Sequence, residues 1–278
     1  MSVSPQDPSP QPGTTPSRAG RRVAAFFDLD KTIIATSSSA AFSKPFLSGG
    51  LLTRGDVLRS AYAYFLFHVG SADAVQTERM RQHLSELSTG WDAAKVRRIV
   101  TETLHEHIDP VVYAEAVDLI AQHHEQGHDV VVVSASSTEL VEPIAAMLGA
   151  DHVVATRMEI VDGRFTGRID FYAYGENKAA AMREIAAARG YDLQRCYAYS
   201  DSMTDAPMLA AVGHGFAVNP DRALRRMAVE NGWGTLSFSR PVALRPRLRP
   251  GPTAAVATLV VAAVVGWLVW RGARRRRE

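Results

Sequence analysis

Two kinds of apolar pattern alternate along the chain. Val23-Ala24-Ala25-Phe26-Phe27 and Val130-Val131-Val132-Val133 are short unbroken apolar runs, and they stop at Asp28 and Ser134. Runs of this kind, without polar alternation, are expected of strands buried on both faces of a sheet. Helical spacing predicts helices over about 110–126, stopped by Gly127, and over the stretch stopped by Gly149, with further helices at about 176–189, 205–211 and 221–231. Strands are expected at 195–199 and around Gly215–Val218. Asp162-Gly163, lying between extended segments from Val153 to Ile169, predicts a hairpin. The alternation of strand and helix predicts an α/β fold, a doubly wound parallel sheet covered by helices on both faces. In such sheets ligands bind beyond the carboxyl ends of the strands. Three of those ends carry Asp28, Ser134 and Asp201.

Other stretches depart from this alternation. Residues from about 36 to 107 show helical spacing in 53–69 and 90–107 and no convincing strand, so a helical insert is expected at about 33–108. Residues 1–20, rich in Pro, Ser, Thr and Gly, read as a disordered tail without the apolar stretch of a signal peptide. Residues 21–239 form the expected globular core, and 240–252 form a linker with four prolines and four arginines. The 17 residues 254–270 carry no charge and as a helix would reach about 25 Å, against a hydrocarbon core of about 30 Å. With Trp267 and Trp270 at one end and arginines on both flanks, residues 253–271 read as a transmembrane helix followed by a basic tail at 272–278.

Charge sharpens this picture. The formal net charge is +2, but nine arginines between Arg240 and Arg277 supply it and leave the rest of the chain acidic. That distribution argues against a nucleic-acid-binding surface and for arginines flanking a membrane span. A single cysteine, Cys196, excludes an intramolecular disulfide and points to a reducing compartment.

The candidate chemistry lies at the strand ends. Asp28-Leu29-Asp30-Lys31-Thr32 puts two carboxylates two residues apart directly after the first strand. One can attack while the other handles a proton. Taken singly the other residues are ambiguous: Ser134 could cap a helix, Lys178 could be a solvated helix lysine, and Asp205 could start a helix. Lys178 stands 23 positions before Asp201, a spacing that suits a helix, a turn and a strand returning to the same sheet edge. His105, His107, His123 and His124 lack Cys or acidic partners at zinc-ligand spacing and read as helix-surface residues, and Tyr62, Tyr64, Phe65 and Phe67 read as packing within the insert.

Asp28 with Asp30, then Ser134, then Lys178, then Asp201 with Asp205, in that order and at those strand ends, resemble the motifs of the haloacid dehalogenase superfamily of phosphohydrolases. The resemblance runs from Arg22 to about Phe238. The helical insert and the stretch Val161-Asp162-Gly163-Arg164-Phe165-Thr166-Gly167 resemble the phosphoserine-phosphatase-like subgroup, in which the insert is a cap. The resemblance implies that Asp28 is the nucleophile and forms an aspartyl-phosphate, and that Asp30 protonates the leaving oxygen and later activates water. It implies that Ser134 and Lys178 bind the phosphoryl group. It further implies Mg²⁺ held by Asp28, Asp201 and the backbone carbonyl of Asp30, with Asp205 in support.

Where phosphoserine phosphatases place a glutamate that recognises the substrate's amino group, this chain has Thr36-Ser37-Ser38-Ser39. Ser200 and Ala135 stand where glycine is commoner, both small changes near the phosphate. The expected substrate is therefore either a small phosphorylated metabolite or a phospholipid-type monoester. The expected location is a membrane, reached by the single span, with the catalytic domain on the cytoplasmic side. A membrane-tethered binding protein that kept the fold without catalysis is the alternative, and its signature would be a broken motif. All six motif residues are present.

Overall fold

The computed structural model describes residues 22–53, 55–56, 82 and 85–241. The expected tail, most of the 53–69 helix with its four aromatic residues, most of the linker and the span at 254–270 lie outside the described residues. Among the described residues no helix is long and apolar enough to cross a membrane.

Seven strands form one sheet in the order β4-β3-β2-β1-β5-β6-β7. They are β1 Ala24–Asp28, β2 Asp129–Ser137, β3 His152–Val161, β4 Arg164–Phe171, β5 Tyr197–Ser200, β6 His214–Val218 and β7 Gly234–Leu236. All neighbours run parallel except β3 and β4, the antiparallel hairpin turned by Asp162-Gly163. The sheet is therefore mixed rather than purely parallel, because a two-residue turn can only return a strand antiparallel. Strand order reverses on either side of the β1–β5 pair, which is where ligands sit in open α/β sheets. The register pairs Asp28 with Val133, and one step past the Phe27–Tyr199 pair lie Asp28 and Ser200. Asp28, Ser134 and Asp201 thus emerge within one residue of the same level.

The helices follow from the sequence pattern. Described helices are α1 Ser38–Ala41, α2 Ser43–Ser48, α3 Ala93–His107, α4 Ala114–Glu125, α5 Thr138–Leu148, α6 Glu176–Arg189, α7 Ala206–Ala210 and α8 Arg222–Asn231. Asp92 caps α3 by accepting from the Lys95 N–H at 2.8 Å, and the helix packs Val96, Val100 and Leu104 inward and contacts α5. Gly149 and Gly190 end α5 and α6 in the left-handed conformation, which glycine adopts without strain. On α6 the buried positions are Lys178, Ala179, Met182 and Ala186, so the stripe that seats the helix carries a lysine into the interior. Phe26, Val131, Met182, Met208 and Leu224 share one core cluster against the sheet. Truncating the fully buried Phe26 to Ala would cost about 3–5 kcal/mol.

Three elements had no readable signal. Strand β7 is three residues long and begins at Gly234, whose missing Cβ leaves room for the Phe216 ring 2.4 Å from where that Cβ would stand. Helices α1 and α2 are too brief to show a period. Beyond β7 the chain turns back on the core: Asn219, at φ 45°, donates to Phe238 O and accepts from Phe238 N, and Glu115 accepts from the Ser239 N–H at 3.0 Å.

One expectation is corrected outright. His105 and His124 are exposed as expected, but His123 is only 3% exposed. Its Nε2 lies 2.9 Å from the Tyr199 hydroxyl and its Nδ1 lies 2.9 Å from Nδ1 of His128, with Phe27 and Tyr197 against the ring. The helix face it occupies is closed by aromatic side chains, so an imidazole with two partners replaces an aliphatic residue there. A neutral ring supplies the one donor and one acceptor this needs. Burial first, and the neighbouring His128 and His124 next, push its pKa down to about 4. The folded value lies below the unfolded one, so this group contributes stability above pH ~6.5 that is lost as pH falls towards 4. His123→Phe is accordingly expected to melt below wild type at pH 7.5 and to close that gap by pH 5. A gap constant with pH would show that the imidazole is not held neutral.

Candidate active site

Asp28 ends the central strand and is 5% exposed. Lys178 comes up from α6, and its ammonium donates to Asp28 Oδ1 at 2.6 Å and to Asp205 Oδ2 at 2.7 Å. No hydrogen bond among the described residues reaches Asp28 Oδ2. The Ser200 hydroxyl also donates to Asp205 Oδ2, at 2.7 Å. Asp205 precedes α7 but makes no capping bond with its side chain, so its carboxylate serves Lys178 and Ser200 instead. Lys178 is therefore no solvated lysine: it is the buried cation between two carboxylates.

The chain turns sharply after Asp28. Ile33 and Ile34 both donate to Leu29 O, at 3.0 and 3.1 Å, and Lys31 takes a left-handed φ of 63°. A non-glycine residue there stores strain of about 1–3 kcal/mol, which tends to occur at functional loops. The turn brings Thr32 under Asp201, whose N–H donates to Thr32 Oγ1 at 3.0 Å. It also aims Asp30 at two hydroxyls. Ser38 N donates to Asp30 Oδ1 at 2.8 Å, and the Ser38 and Ser136 hydroxyls each lie 3.3 Å from Oδ2. Ser134, 1% exposed near the end of β2, accepts at Oγ from the Ser136 N–H at 3.2 Å. It does not cap α5.

The electrostatics follow from burial. Burial pushes the Asp28 carboxyl well above the usual carboxylate range, and Asp205, Asp201 and Asp30 add to this against the opposing Lys178. Asp30 is raised by burial as well, with the Ser38 N–H working the other way. Asp201 is pushed up to about 6, by burial first and then by Asp205, while Lys31 and Lys178 oppose the rise. Burial disfavours the Lys178 charge, but Asp205 and Asp28 outweigh it and hold the ammonium above its ordinary range. The site thus gathers four carboxyl groups, Asp28, Asp30, Asp201 and Asp205, against Lys178 and Lys31, an arrangement that favours a cation.

The donor set suits a hard one. Asp28, Asp201 and the Asp30 carbonyl are all oxygen donors, as Mg²⁺ prefers. Mg²⁺ typically takes one or two carboxylates and keeps several waters. Among the described residues there is no cluster of three or more His, Cys, Asp or Glu side chains able to hold a metal by themselves.

All six sequence-predicted residues therefore stand around the carboxyl end of β1, β2 and β5. Thr32, Ser38 and Ser136 join them without having been singled out, and Ser200, noted only as a small residue near the phosphate, joins them as a hydroxyl donor. The available signal was the density of hydroxyl residues beside each motif, in Thr36-Ser37-Ser38-Ser39 and in Ser136-Ser137.

The chain is similar to known proteins along most of its length. The haloacid dehalogenase-like hydrolase family matches residues 25–210. A Mycobacterium tuberculosis protein named probable phosphatase is 59% identical over 253 residues, covering 91% of this chain and 88% of its own. A second protein of that organism, named phosphoserine phosphatase SerB1, is 35% identical over 217 residues, covering 77% of this chain and 70% of its own. Among solved structures, a Bordetella pertussis protein of unknown function superposes with a TM-score of 0.69 at 28% identity, covering 78% of this chain and 99% of that one. With the family matched across both aspartate motifs, the chain belongs to the haloacid dehalogenase-like hydrolases and is a phosphoric monoester hydrolase.

Proposed function

We propose that the protein hydrolyses a phosphate monoester by attack of Asp28 on phosphorus, through an aspartyl-phosphate. The observation that carries this reading is the Asp28 carboxylate at the end of the central strand, pinned at Oδ1 by Lys178 with Oδ2 left for attack. In-line phosphoryl transfer needs a positioned nucleophile, a proton donor for the leaving oxygen and donors for the equatorial oxygens. Ser134 and Lys178 are the proposed phosphoryl donors. Asp30 gives its proton to the leaving oxygen and then takes one from the water that attacks the acyl phosphate. Mg²⁺ bound at Asp28, Asp201 and the Asp30 carbonyl, with Asp205 behind, would offset charge on the transferring group. Residues of the insert at about 33–108 would act as a cap that excludes water from the intermediate.

Two substrate classes remain in view. The relative named phosphoserine phosphatase supports a small phosphorylated alcohol. In this chain, however, Ser37 caps α1 and Ser38 is committed to Asp30, so the loop offers hydroxyls and no carboxylate for an ammonium group. A phospholipid-type monoester draws support from the apolar stretch 254–270, proposed as a single membrane span with the catalytic domain on the cytoplasmic side. A tether would raise the effective concentration of membrane-resident esters.

The test is phosphate release from a panel of soluble esters and of lipid monoesters in vesicles, with Mg²⁺ and with excess chelator. Chelator should abolish turnover. Asp201→Asn should raise the Mg²⁺ needed for half-maximal rate more than about tenfold, the lower bound for outer-shell losses. Full activity in chelator would remove the metal from the reading.

A further inference from the structure

We infer that Ser38 and Ser136 are positioning residues that fix the Asp30 carboxyl for proton transfer to the leaving oxygen. The inference rests on the proposed role of Asp30 as the proton donor. Three oxygens make the arrangement: Ser38 Oγ and Ser136 Oγ are 2.7 Å apart, and each is 3.3 Å from Asp30 Oδ2. Oδ1 is tied separately by the Ser38 N–H at 2.8 Å. Contacts on both oxygens define the plane of the carboxyl and remove its freedom to rotate, which proton transfer within hydrogen-bond reach requires.

Either hydroxyl can donate to Asp30 Oδ2, and the serine that does so can also accept from the other.

The two serines also come from informative places. Ser38 opens α1, where the described chain enters the insert, and is fully buried. Ser136 lies in β2 two residues after Ser134, and its N–H donates to Ser134 Oγ while its hydroxyl reaches Asp30. One residue thereby holds the proposed phosphate-binding serine and the proposed proton donor in fixed relation. Neither hydroxyl is needed for a cap, because α5 starts after Ser137 without a side-chain capping bond.

The experiment compares kcat on p-nitrophenyl phosphate, whose leaving group needs little protonation, with kcat on an alkyl phosphate that the wild type turns over. Ser38→Ala, Ser136→Ala and the double variant should lose at least tenfold on the alkyl ester and less than threefold on the nitrophenyl ester, with Ser136→Thr restoring the alkyl rate. Asp30→Asn is run alongside. If Asp30→Asn shows the selective loss and the serine variants lose both substrates equally or neither, the positioning role is wrong while the acid assignment stands. If Asp30→Asn itself is unselective, the acid assignment and this inference fall together. Should the double variant melt far below wild type, Ser136→Ala alone, at a partly exposed strand position, carries the same comparison.

Discussion

Replacing Asp28 by Asn is expected to lower kcat by about 10⁴-fold or more, the scale on which removing a covalent nucleophile acts. The amide is nearly isosteric but cannot attack phosphorus. The fold should not suffer. Burial and the facing carboxylates of Asp205, Asp201 and Asp30 already push the Asp28 carboxyl well up, so an uncharged amide relieves repulsion at neutral pH. Melting temperature at or above the wild-type value, together with lost turnover under matched Mg²⁺, is the expected pair of results. Retention of more than about a hundredth of wild-type turnover would leave another group as the nucleophile.

The second large effect is expected at Lys178, in stability as well as rate. Lys178→Met keeps the length and apolar stem of a residue that is 3% exposed, but strands the carboxylates of Asp28 and Asp205 without their cation. Breaking one partner out of a buried ion pair costs about 3–5 kcal/mol, far more than an exposed pair is worth. For a chain of this size that is a fall in melting temperature of about 6–20 °C. The sign of the pH dependence follows. Unpaired carboxylates have folded pKa values above their unfolded ones, so their charge destabilises at neutral pH and the cost fades as acid protonates them. Differential scanning calorimetry at pH 7.5 and pH 5.5 should show the gap between variant and wild type shrinking at the lower pH. Phosphatase activity should collapse as well. A variant as stable as wild type at pH 7.5 would mean that the lysine does not neutralise the pair.

What could be read in advance, and what could not, divides along a physical line. The unbroken runs Val23–Phe27 and Val130–Val133 specify strands because a strand covered on both faces has no polar side to show. Gly127 and Gly149 mark helix ends because the left-handed conformation strongly favours glycine. Asp28, Ser134 and Asp201 were legible as site residues because the strands that deliver them were. Lys178 needed the structure to prove its case: a lysine in a helix is ordinarily solvated, and only the buried stripe with Met182 and Ala186 turns it inward. Ser38, Ser136 and Thr32 carried no such signal, since a single hydroxyl leaves no period and is common in any loop. His123 misled for a related reason. Beside the exposed His124, its burial depends on Tyr199, which is 76 residues away in the chain. Strand β7 depends on the fit of Gly234 against Phe216, again a contact between distant positions.

The account turns on a covalent phosphate at one carboxylate, and that species can be looked for directly. The wild-type protein would be mixed with Mg²⁺ and ester, quenched in acid within the first turnovers, reduced with borohydride and digested for mass spectrometry. An acyl phosphate is reduced where a free carboxylate is not, so homoserine should appear at position 28, and neither protein without ester nor Asp28→Asn should show it. Phosphate on Ser134 or on any residue other than Asp28 would contradict the account.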